Sequence, residues 1–127
     1  MGEARFTYSA QSPQSPTSSR ANYRRLSVLI PVFNEERTLA TLLARLTSVE
    51  LPLELEMVAV DDGSRDASWP VMQQLATSDR RLRVIQHRRN LGKGAAVRTA
   101  IKHMTGDVAV VQDADLEYNP ADLPLLL

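Results

Sequence analysis

The sequence predicts an α/β domain whose mostly parallel β-sheet carries helices on both faces. Four short, nearly continuous apolar segments alternate with three segments of helical periodicity along the chain. Strands that are apolar on both sides are typical of parallel sheets covered by helices on each face. With 127 residues, of which 43% are hydrophobic, the chain is long enough to bury one such core and too short for two domains.

The four apolar segments are predicted to be strands. They span residues 26–32, 55–60, 82–86 and 107–112, and each is followed by a polar segment. Ligands of open parallel sheets bind beyond the carboxyl ends of the strands, so the polar segments are expected to meet at one edge of the sheet. These segments read PVFNE, DDGSRD, HRRNLGKG and DADLE.

The first predicted helix follows PVFNE. Glu35 and Glu36 are expected in its first turn, where the helix dipole favours negative charge. Its apolar residues recur at helical spacing and form one stripe that faces the core. The stripe comprises Leu39, Leu42, Leu43 and Leu46.

Two further helices are predicted between the later strands. One covers residues 68–77 and tolerates Pro70 in its first turn. The other begins near Gly94 and ends at Gly106, with an apolar face formed by Val97, Ile101 and Met104. Near the end of the chain, residues 119–120 (Asn-Pro) are typical of a cap and first residue of another helix.

Composition narrows the class of protein. The 15 Lys and Arg residues balance the 15 Asp and Glu residues, whereas a general nucleic-acid binder usually carries a basic excess, so no nucleic-acid partner is expected. The lack of Cys removes disulfides, thiolate zinc sites and thiol nucleophiles, and two isolated histidines cannot form a multi-histidine metal site. No apolar run approaches the roughly 18 residues that span a bilayer, and the start lacks the apolar core of a signal peptide. These features favour a cytoplasmic protein.

Residues 1–23 are predicted to be a disordered tail. They are rich in Ser, Pro, Gln and Thr, and such a segment buries too little apolar surface to offset its chain entropy. The first 25 residues carry four arginines against one glutamate, so the zero net charge of the chain hides a basic start and an acidic remainder. The folded domain is expected over residues 24–127.

The acidic segment DADLE is expected to bind a divalent cation. Asp113, Asp115 and Glu117 stand at every second position after the fourth strand, so in extended backbone their carboxylates share one side. Like charges repel one another unless a cation lies among them, and an all-oxygen ligand set favours Mg²⁺ or Mn²⁺ shared with a phosphate. A solvated acidic loop is the simpler interpretation. The position of DADLE after a buried strand and beside the other polar segments favours the metal site.

DDGSRD combines a turn with two adjacent carboxylates. Asp61 and Asp62 end the second strand, where acidic side chains of doubly wound nucleotide sites accept hydrogen bonds from sugar or base. Gly63 permits a tight turn, and Ser64 or Asp66 can cap the next helix. A turn and a cap alone would leave the two carboxylates without a role.

HRRNLGKG is typical of a loop that meets phosphate. Gly92 and Gly94 flank Lys93 just before a helix, so free backbone N–H groups, the helix dipole and a cation form a phosphate cradle. The loop is not a Walker A motif, because the four-residue spacer and the Ser or Thr after Lys are missing. Alternatively, the glycines serve only close packing of the helix on the sheet. Phosphate contact is expected first from Lys93 and less from Arg88 or Arg89.

PVFNE closes the first strand and offers contacts to a base. Phe33 can stack on a planar ring and Glu35 can accept from base or ribose, whereas the alternatives are a core-edge aromatic and a helix-start carboxylate. The isolated Trp69, His87 and His103 are interpreted as structural.

In this order and spacing, PVFNEE, VDDGSRD, NLGKGAAVRTAI and DADLE resemble the family-2 glycosyltransferases of GT-A fold. The resemblance covers residues 26–127 and is strongest to the polyprenyl-phosphate branch, which includes dolichyl-phosphate mannose and glucose synthases. It implies transfer of a hexose, with inversion, from a UDP- or GDP-sugar to a polyprenyl phosphate, assisted by Mg²⁺ or Mn²⁺. The residues implied at the nucleotide are Pro31, Phe33, Glu35, Asp61, Asp62, Lys93, Gln112 and Ala114, and those implied at the metal are Asp113, Asp115 and Glu117.

Two departures from the resembling branch concern the last segment. The branch commonly has Gln at the position of Glu117, so the additional charge either strengthens metal binding or alters donor choice. Its members also continue well past the D-x-D motif, where they place acceptor contacts and usually the carboxylate base. The chain is therefore expected to be the donor-binding half, with the base beyond Leu127. We expect it to bind donor without efficient transfer and to expose a poorly covered sheet that favours self-association.

The partners that the resemblance implies are a nucleotide-sugar and a lipid phosphate at a membrane surface, where the protein would be peripheral. The alternative from a different class is a truncated, non-catalytic nucleotide-binding or interaction module, which the downstream sequence would discriminate. Other phosphate-handling α/β proteins fit less well. A dinucleotide Rossmann domain needs G-x-G-x-x-G where this chain has PVFNE. Haloacid-dehalogenase phosphatases carry their Asp pair at the first strand, and sugar-nucleotide pyrophosphorylases carry a glycine-rich loop there.

Overall fold

Four parallel strands form one sheet in the order β3-β2-β1-β4 in the computed structural model, which describes residues 23–115. β1 lies between β2 and β4, and β2 lies between β1 and β3, with every pairing parallel. The predicted parallel sheet is therefore confirmed. The strands are β1 (Arg25–Val32), β2 (Glu54–Asp61), β3 (Leu82–Gln86) and β4 (Val108–Val111).

Helices cover both faces of this sheet, as predicted. They are α1 (Leu39–Ser48), α2 (Ser68–Ser78) and α3 (Lys93–His103). α1 and α2 pack on the face that carries Val28 and Ile30, and the four leucines of the predicted stripe are buried there. α3 packs on the opposite face, which carries Leu29 and Val58. Successive residues of β1 thus face different layers, as the pleat of a strand requires.

α3 contacts the sheet mainly through alanine. Ala96 and Ala100 are buried, whereas Val97, Ile101 and Met104 are only partly buried at the border of the same core. The predicted apolar face is confirmed, but its centre is the alanine pair. Small side chains let the helix backbone come close to the strands, which fixes the position of the helix start.

The first helix begins later than predicted. α1 starts at Leu39, and Glu35 and Glu36 precede it in a separate turn in which the Thr38 and Leu39 N–H groups donate to the Glu35 carbonyl at 3.1 and 3.2 Å. The prediction that both glutamates lie in the first helical turn is wrong. The Glu35 N–H instead donates to the hydroxyl of Ser68, the first residue of α2, and the Glu36 N–H donates to Asp66 just before it, so this turn is held at the start of α2.

The connection through α3 creates a switch point in the sheet. The chain passes from β1 to β2 to β3 in one direction with both intervening helices on one face. It then returns through α3 on the other face and places β4 on the far side of β1. The carboxyl ends of β1 and β4 therefore flank a crevice of the kind in which open α/β sheets bind ligands.

The boundaries of the domain can be followed only within the described residues. Tyr23, which composition assigns to the tail, packs against the core. The helix predicted at residues 119–120 and the expected metal ligand Glu117 lie outside the described residues. Between residues 23 and 115 there is no helix of the length and apolar character needed to cross a bilayer.

A buried carboxylate ties three elements together at the amino edge of the sheet. Glu56 of β2 accepts hydrogen bonds from the Ser27 hydroxyl (2.8 Å), from the Thr105 N–H (2.7 Å) and from the Thr105 hydroxyl. Ser27 accepts in turn from the Gly106 N–H at 2.9 Å. Burial acts to raise the pKa of Glu56, but the hydrogen bonds from Thr105 and Ser27 and the charge of Arg83 outweigh it, so the pKa is lowered.

The Glu56→Gln variant is expected to be less stable than the natural chain at neutral pH, and the difference should shrink in acid. The pKa of Glu56 is lower in the folded chain than its value of about 4.3 in an unfolded chain. Its charged form therefore stabilises the fold above that pH, and this contribution is lost as the pH falls through the folded pKa. At pH 7 we expect a loss of about 1–3 kcal/mol, the usual cost of leaving buried donors unpaired.

Thermal unfolding between pH 3 and pH 7 measures this effect. Glu54→Gln is the matched control, because Glu54 lies on the same strand, is exposed and pairs only with Arg25 at 3.0 Å among the residues described. Such an exposed pair contributes about 0–1 kcal/mol. A Glu56→Gln penalty of the same size at pH 3 and pH 7 would contradict the assignment of an ionised, hydrogen-bonded carboxylate.

Candidate functional site

A cavity of about 490 Å³ opens at the carboxyl edge of the sheet, at the switch point between β1 and β4. All four polar segments singled out from the sequence contribute to its lining, as the parallel topology predicts. A larger cavity of about 830 Å³ lies at the opposite, amino edge. We place the site at the smaller cavity, because only there do several polar segments converge. Its lining residues are Pro31, Val32, Phe33, Glu35, Asp62, Asn90, Gly92, Lys93, Asp113, Ala114 and Asp115.

The loop after β1 is held by the loop after β2. The Asn34 N–H donates to the Ser64 hydroxyl at 2.8 Å, and the Asn34 side-chain oxygen accepts from the Arg65 N–H at 2.8 Å. Asn34 has a φ of 55°, a left-handed conformation in which Asn is enriched among non-glycine residues. The Ser64 hydroxyl therefore binds the loop after β1 and does not cap α2. Ser64 was one of the two residues predicted as a possible cap, and for Ser64 this prediction is wrong.

The start of α2 is capped from two directions. The N-cap residue is Ala67, which has no side chain that could cap, but Asp66 just before it accepts from the Ser68 N–H at 2.9 Å and Glu36 accepts from the Ala67 N–H at 2.9 Å. Asp66 also accepts from the Glu36 N–H at 3.2 Å, which makes the contact between the two loops reciprocal. Burial acts to raise the pKa of Asp66, but the hydrogen bonds from Ser68 and from the Glu36 N–H outweigh it and the pKa is lowered. Phe33 and Glu35 are thus carried on a loop that is fixed on both sides.

The Asp62 carboxylate holds the loop after β3 through hydrogen bonds. It is 3% exposed, and its carboxylate accepts from the Leu91 N–H, the Gly92 N–H and the His87 imidazole, each at 2.9 Å. The Gly92 N–H, which was predicted to contact phosphate, therefore donates to Asp62 instead. A carboxylate has about four acceptor positions, and Asp62 also lines the cavity, so one position remains for a ligand.

Gly63 allows two loops to approach each other at the backbone level. It has a φ of 73°, and a Cβ atom at this position would stand 2.5 Å from the carbonyl carbon of Arg89 and 2.5 Å from the nitrogen of Asn90. No side chain fits there. The requirement for glycine in DDGSRD comes from this close approach as well as from the turn.

Asp61 holds a buried oxygen that is not paired within residues 23–115. The residue is fully buried at the end of β2, and its Oδ2 accepts from the Ser64 N–H at 3.3 Å, whereas its Oδ1 has no hydrogen-bond partner in this part of the chain. An unpaired buried acceptor costs about 1–3 kcal/mol. Asp61 is not among the residues that line the cavity, so its expected contact with a nucleotide stays a prediction.

Two of the three expected metal ligands line the cavity together. Asp113 forms an ion pair with the Lys93 ammonium, and Asp115 is exposed. The backbone is not extended here: β4 ends at Val111, and residues 114–115 form a turn. The assumption that the carboxylates share one side of an extended strand is therefore wrong, although both still face the same cavity. In residues 23–115 no group of three Asp, Glu or His side chains is placed to hold a metal.

The turn at Ala114 is fixed by the start of α1. The Thr38 hydroxyl lies 2.6 Å from the Ala114 carbonyl and 3.0 Å from the Glu35 carboxylate, and Ala114 is 3% exposed. Gln112, which precedes the turn, is 5% exposed, and its side-chain amide donates to the Asp113 carbonyl at 3.2 Å. Ala114 lines the cavity, whereas Gln112, which was also expected at the nucleotide, is not among the lining residues.

α3 begins in the site. Its first residue is Lys93, one position earlier than expected, and the N–H groups of residues 94 and 95 belong to the first turn, where helix geometry provides no intrahelical acceptor. The positive end of the helix dipole and the Lys93 side chain therefore lie beside the Asp113 carboxylate. Phe33 lines the same cavity and is 42% exposed.

Sequence reasoning missed three side chains that arrange the site. Asn34, Thr38 and His87 join segments 25–76 residues apart, and His87 contacts both Asp62 and α3. An Asn directly after a strand is a signal for a positive φ and could have drawn attention to Asn34. His87 itself lies outside the cavity lining.

Residues 27–127 match the family model described as "Glycosyl transferase family 2". An undecaprenyl-phosphate 4-deoxy-4-formamido-L-arabinose transferase of Pseudomonas fluorescens is 37% identical over 105 residues, which cover 80% of this chain and 31% of that protein. A dolichol-phosphate mannosyltransferase of Pyrococcus furiosus is 38% identical over 103 residues, which cover 81% and 29%. The chain thus spans about a third of the length of these relatives.

Solved structures share the fold. The mannosyltransferase PcManGT from Pyrobaculum calidifontis, in complex with GDP-Man and Mn²⁺, superposes with a TM-score of 0.70 at 30% identity over 80% of this chain and 30% of that one. S. aureus TarS in complex with UDP gives a TM-score of 0.65 at 30% identity over 72% and 27%.

Proposed function

The chain belongs to glycosyl transferase family 2 and has the GT-A fold, and from this membership and the site geometry we propose that it is the donor-binding part of a hexosyltransferase. The donor is a UDP- or GDP-sugar, and the acceptor is a polyprenyl phosphate. The observation that carries the proposal is the convergence, at one cavity, of two carboxylates, a lysine at a helix start and an exposed aromatic ring. The aromatic ring suits the base, the lysine suits the diphosphate, and the two carboxylates suit a metal ion bound to that diphosphate.

The nucleoside is proposed to bind between the loops after β1 and β2. Phe33 offers an exposed ring for stacking on the base, and Pro31 and Glu35 line the same side of the cavity. From the resemblance of VDDGSRD to the family, we propose that the unpaired Oδ1 of Asp61 accepts from a base N–H, although Asp61 is fully buried and does not line the cavity. The remaining acceptor position of Asp62 suits a ribose hydroxyl.

The diphosphate is proposed to lie between α3 and the turn after β4. Asp113 and Asp115 would hold Mg²⁺ or Mn²⁺, and a hard cation of this type needs only one or two carboxylates when phosphate oxygens and waters complete its shell. When bound, the ion neutralises charge on the diphosphate leaving group. Lys93, which neutralises Asp113 in this structure, is within reach of the same phosphates and adds a second positive charge.

The acceptor side of the reaction is proposed from the relatives. Two of them are transferases that act with undecaprenyl phosphate or dolichol phosphate, as their names state. An ionised phosphate nucleophile does not require a proton acceptor, so inverting transfer needs mainly correct positioning of the donor carbon. We propose that the enzyme works at a membrane surface as a peripheral protein, since a polyprenyl chain is confined to the bilayer.

Calorimetric titration of the 127-residue chain with UDP and with GDP, each with and without Mn²⁺, tests the proposal. We expect one of the two nucleotides to bind more tightly and to require Mn²⁺. Equal, weak heats for both nucleotides regardless of Mn²⁺ would contradict it and would favour an interaction module without a donor site. Titration with the matching nucleoside is the control for base binding alone.

A further inference from the structure

A line of three side chains runs from the site into the middle of α3. The His87 Nδ1 lies 2.9 Å from the Asp62 Oδ1, and the His87 Nε2 lies 2.8 Å from the Thr99 hydroxyl. The Asp62 and His87 side chains are 4% and 10% exposed, so solvent does not compete strongly for these contacts. His87 is also anchored through its own N–H, which donates to the Asp61 carbonyl at 2.8 Å.

The chemistry of the three groups sets the orientation of the ring. An ionised Asp62 only accepts, so Nδ1 must carry the hydrogen that points to it. In the neutral ring Nε2 then accepts from the Thr99 hydroxyl. The ring is thereby held at both nitrogens, with one end on a site carboxylate and the other end on the helix that begins in the site.

Asp62 passes this restraint on to the loop. The same carboxylate accepts from the Leu91 and Gly92 N–H groups, and the Gly92 carbonyl accepts from the Ala96 N–H at 3.1 Å at the start of α3. A rotation of Asp62 would therefore move the residues directly before Lys93. Without the His87 donor, only the backbone N–H groups of that loop would orient the carboxylate.

We propose that His87 is a positioning residue of the diphosphate site, which acts through Asp62 on the loop that carries Lys93 and on the first turn of α3. This inference rests on the proposed function, because it assigns the diphosphate to that loop. His87 does not touch the donor. It fixes the groups that do, so its loss weakens binding of the diphosphate and leaves binding of the base unchanged.

Two amide substitutions separate this role from a general role in packing. In His87→Asn the amide nitrogen occupies the position of Nδ1 and keeps the donor to Asp62. In His87→Gln it occupies the position of Nε2 and keeps only the contact with Thr99. We expect His87→Gln to weaken binding of UDP or GDP in the presence of Mn²⁺ about tenfold, the value of one charge-assisted hydrogen bond. His87→Asn is expected to stay within about threefold of the natural chain.

The affinity for uridine or guanosine, measured beside that for the diphosphate, is the second readout. Since a nucleoside reaches Asp62 through only one ribose hydroxyl, His87→Gln should weaken its binding by no more than about threefold, so the ratio of the two affinities falls at least about threefold. Equal weakening of both ligands, an unchanged ratio, or identical behaviour of the Asn and Gln variants would overturn the inference. A natural chain that binds diphosphate no better than nucleoside would contradict the proposed function itself.

Thr99→Val tests the positioning role of His87 if His87→Gln does not fold. It keeps the shape of Thr99 and the contact of His87 with Asp62, but releases the other end of the ring. We expect the affinity ratio to fall about threefold, with the midpoint of thermal unfolding measured in parallel. An unchanged ratio with a folded protein would overturn the inference.

Discussion

Replacement of Asp113 or Asp115 by Asn is expected to remove the Mn²⁺ dependence of nucleoside-diphosphate binding. Both carboxylates line the cavity, and each is proposed to ligate the metal. Even the loss of a group behind a metal ligand weakens metal binding about 10–100-fold, so the loss of a ligand should cost at least as much. Asp113→Asn also releases Lys93 from its ion pair, so weak, metal-independent binding through Lys93 is expected in that variant alone.

Neither substitution should harm the fold. The ion pair of Asp113 with Lys93 is partly exposed, and such pairs contribute about 0–1 kcal/mol. Asp79→Asn is the matched control, since it removes the same charge at an exposed pair with Arg81 away from the cavity. Calorimetry with Mn²⁺ and nucleotide measures the affinity of each variant. If Asp79→Asn weakened binding as much as Asp115→Asn, the effect would be one of overall charge and the ligand assignment would fail.

Gly63→Ala is expected to destabilise the fold by about 2–5 kcal/mol. The left-handed conformation costs an alanine about 1–2 kcal/mol, and overpacking against a neighbouring segment costs about 1–3 kcal/mol. The clash is with the backbone of Arg89 and Asn90, which cannot move aside as a flexible side chain would. The loop that Asp62 supports must shift instead, so nucleotide binding should weaken as well.

Gly94→Ala provides the matched control for this prediction. Gly94 lies within α3, and the atom nearest to an added Cβ is the end of the Arg98 side chain at 3.4 Å. Alanine favours a helix over glycine by roughly 0.5–1 kcal/mol, so this variant should be as stable as the natural chain or slightly more stable. Urea unfolding of both variants measures the difference. A Gly63→Ala variant as stable as Gly94→Ala would contradict the close approach of the two loops.

The architecture could be predicted because buried strands and helices leave a local pattern in the sequence. The apolar segments become strands, and the stripe of leucines becomes the buried side of α1. Errors occur where backbone pairing extends beyond apolar side chains. β1 begins at Arg25 and β2 ends at Asp61, because their hydrogen bonds with neighbouring strands continue past the apolar residues. The apolar pattern alone does not predict those hydrogen bonds.

The cavity in which we propose the site could be located from the sequence, but its internal arrangement could not. Parallel topology sends all four polar segments to one edge, which is why Phe33, Lys93 and Asp113 were predicted to lie together. The contacts that hold them depend on residues far apart in the chain. Thr38 reaches Ala114 across 76 positions, and His87 reaches Asp62 across 25. The extended D-x-D geometry was wrong for the same reason, since that long-range contact holds the turn.

Paramagnetic broadening of backbone amide signals by Mn²⁺, added together with the preferred nucleoside diphosphate, tests the location of the site most directly. We predict the strongest broadening at Lys93, Asp113 and Asp115. The amino edge lies about 26 Å away along an eight-residue strand, so Glu54 and Arg81, which line the larger cavity there, should be least affected. Strongest broadening at Glu54 and Arg81, or equal broadening at both edges, would contradict the placement of a donor site at the switch point between β1 and β4.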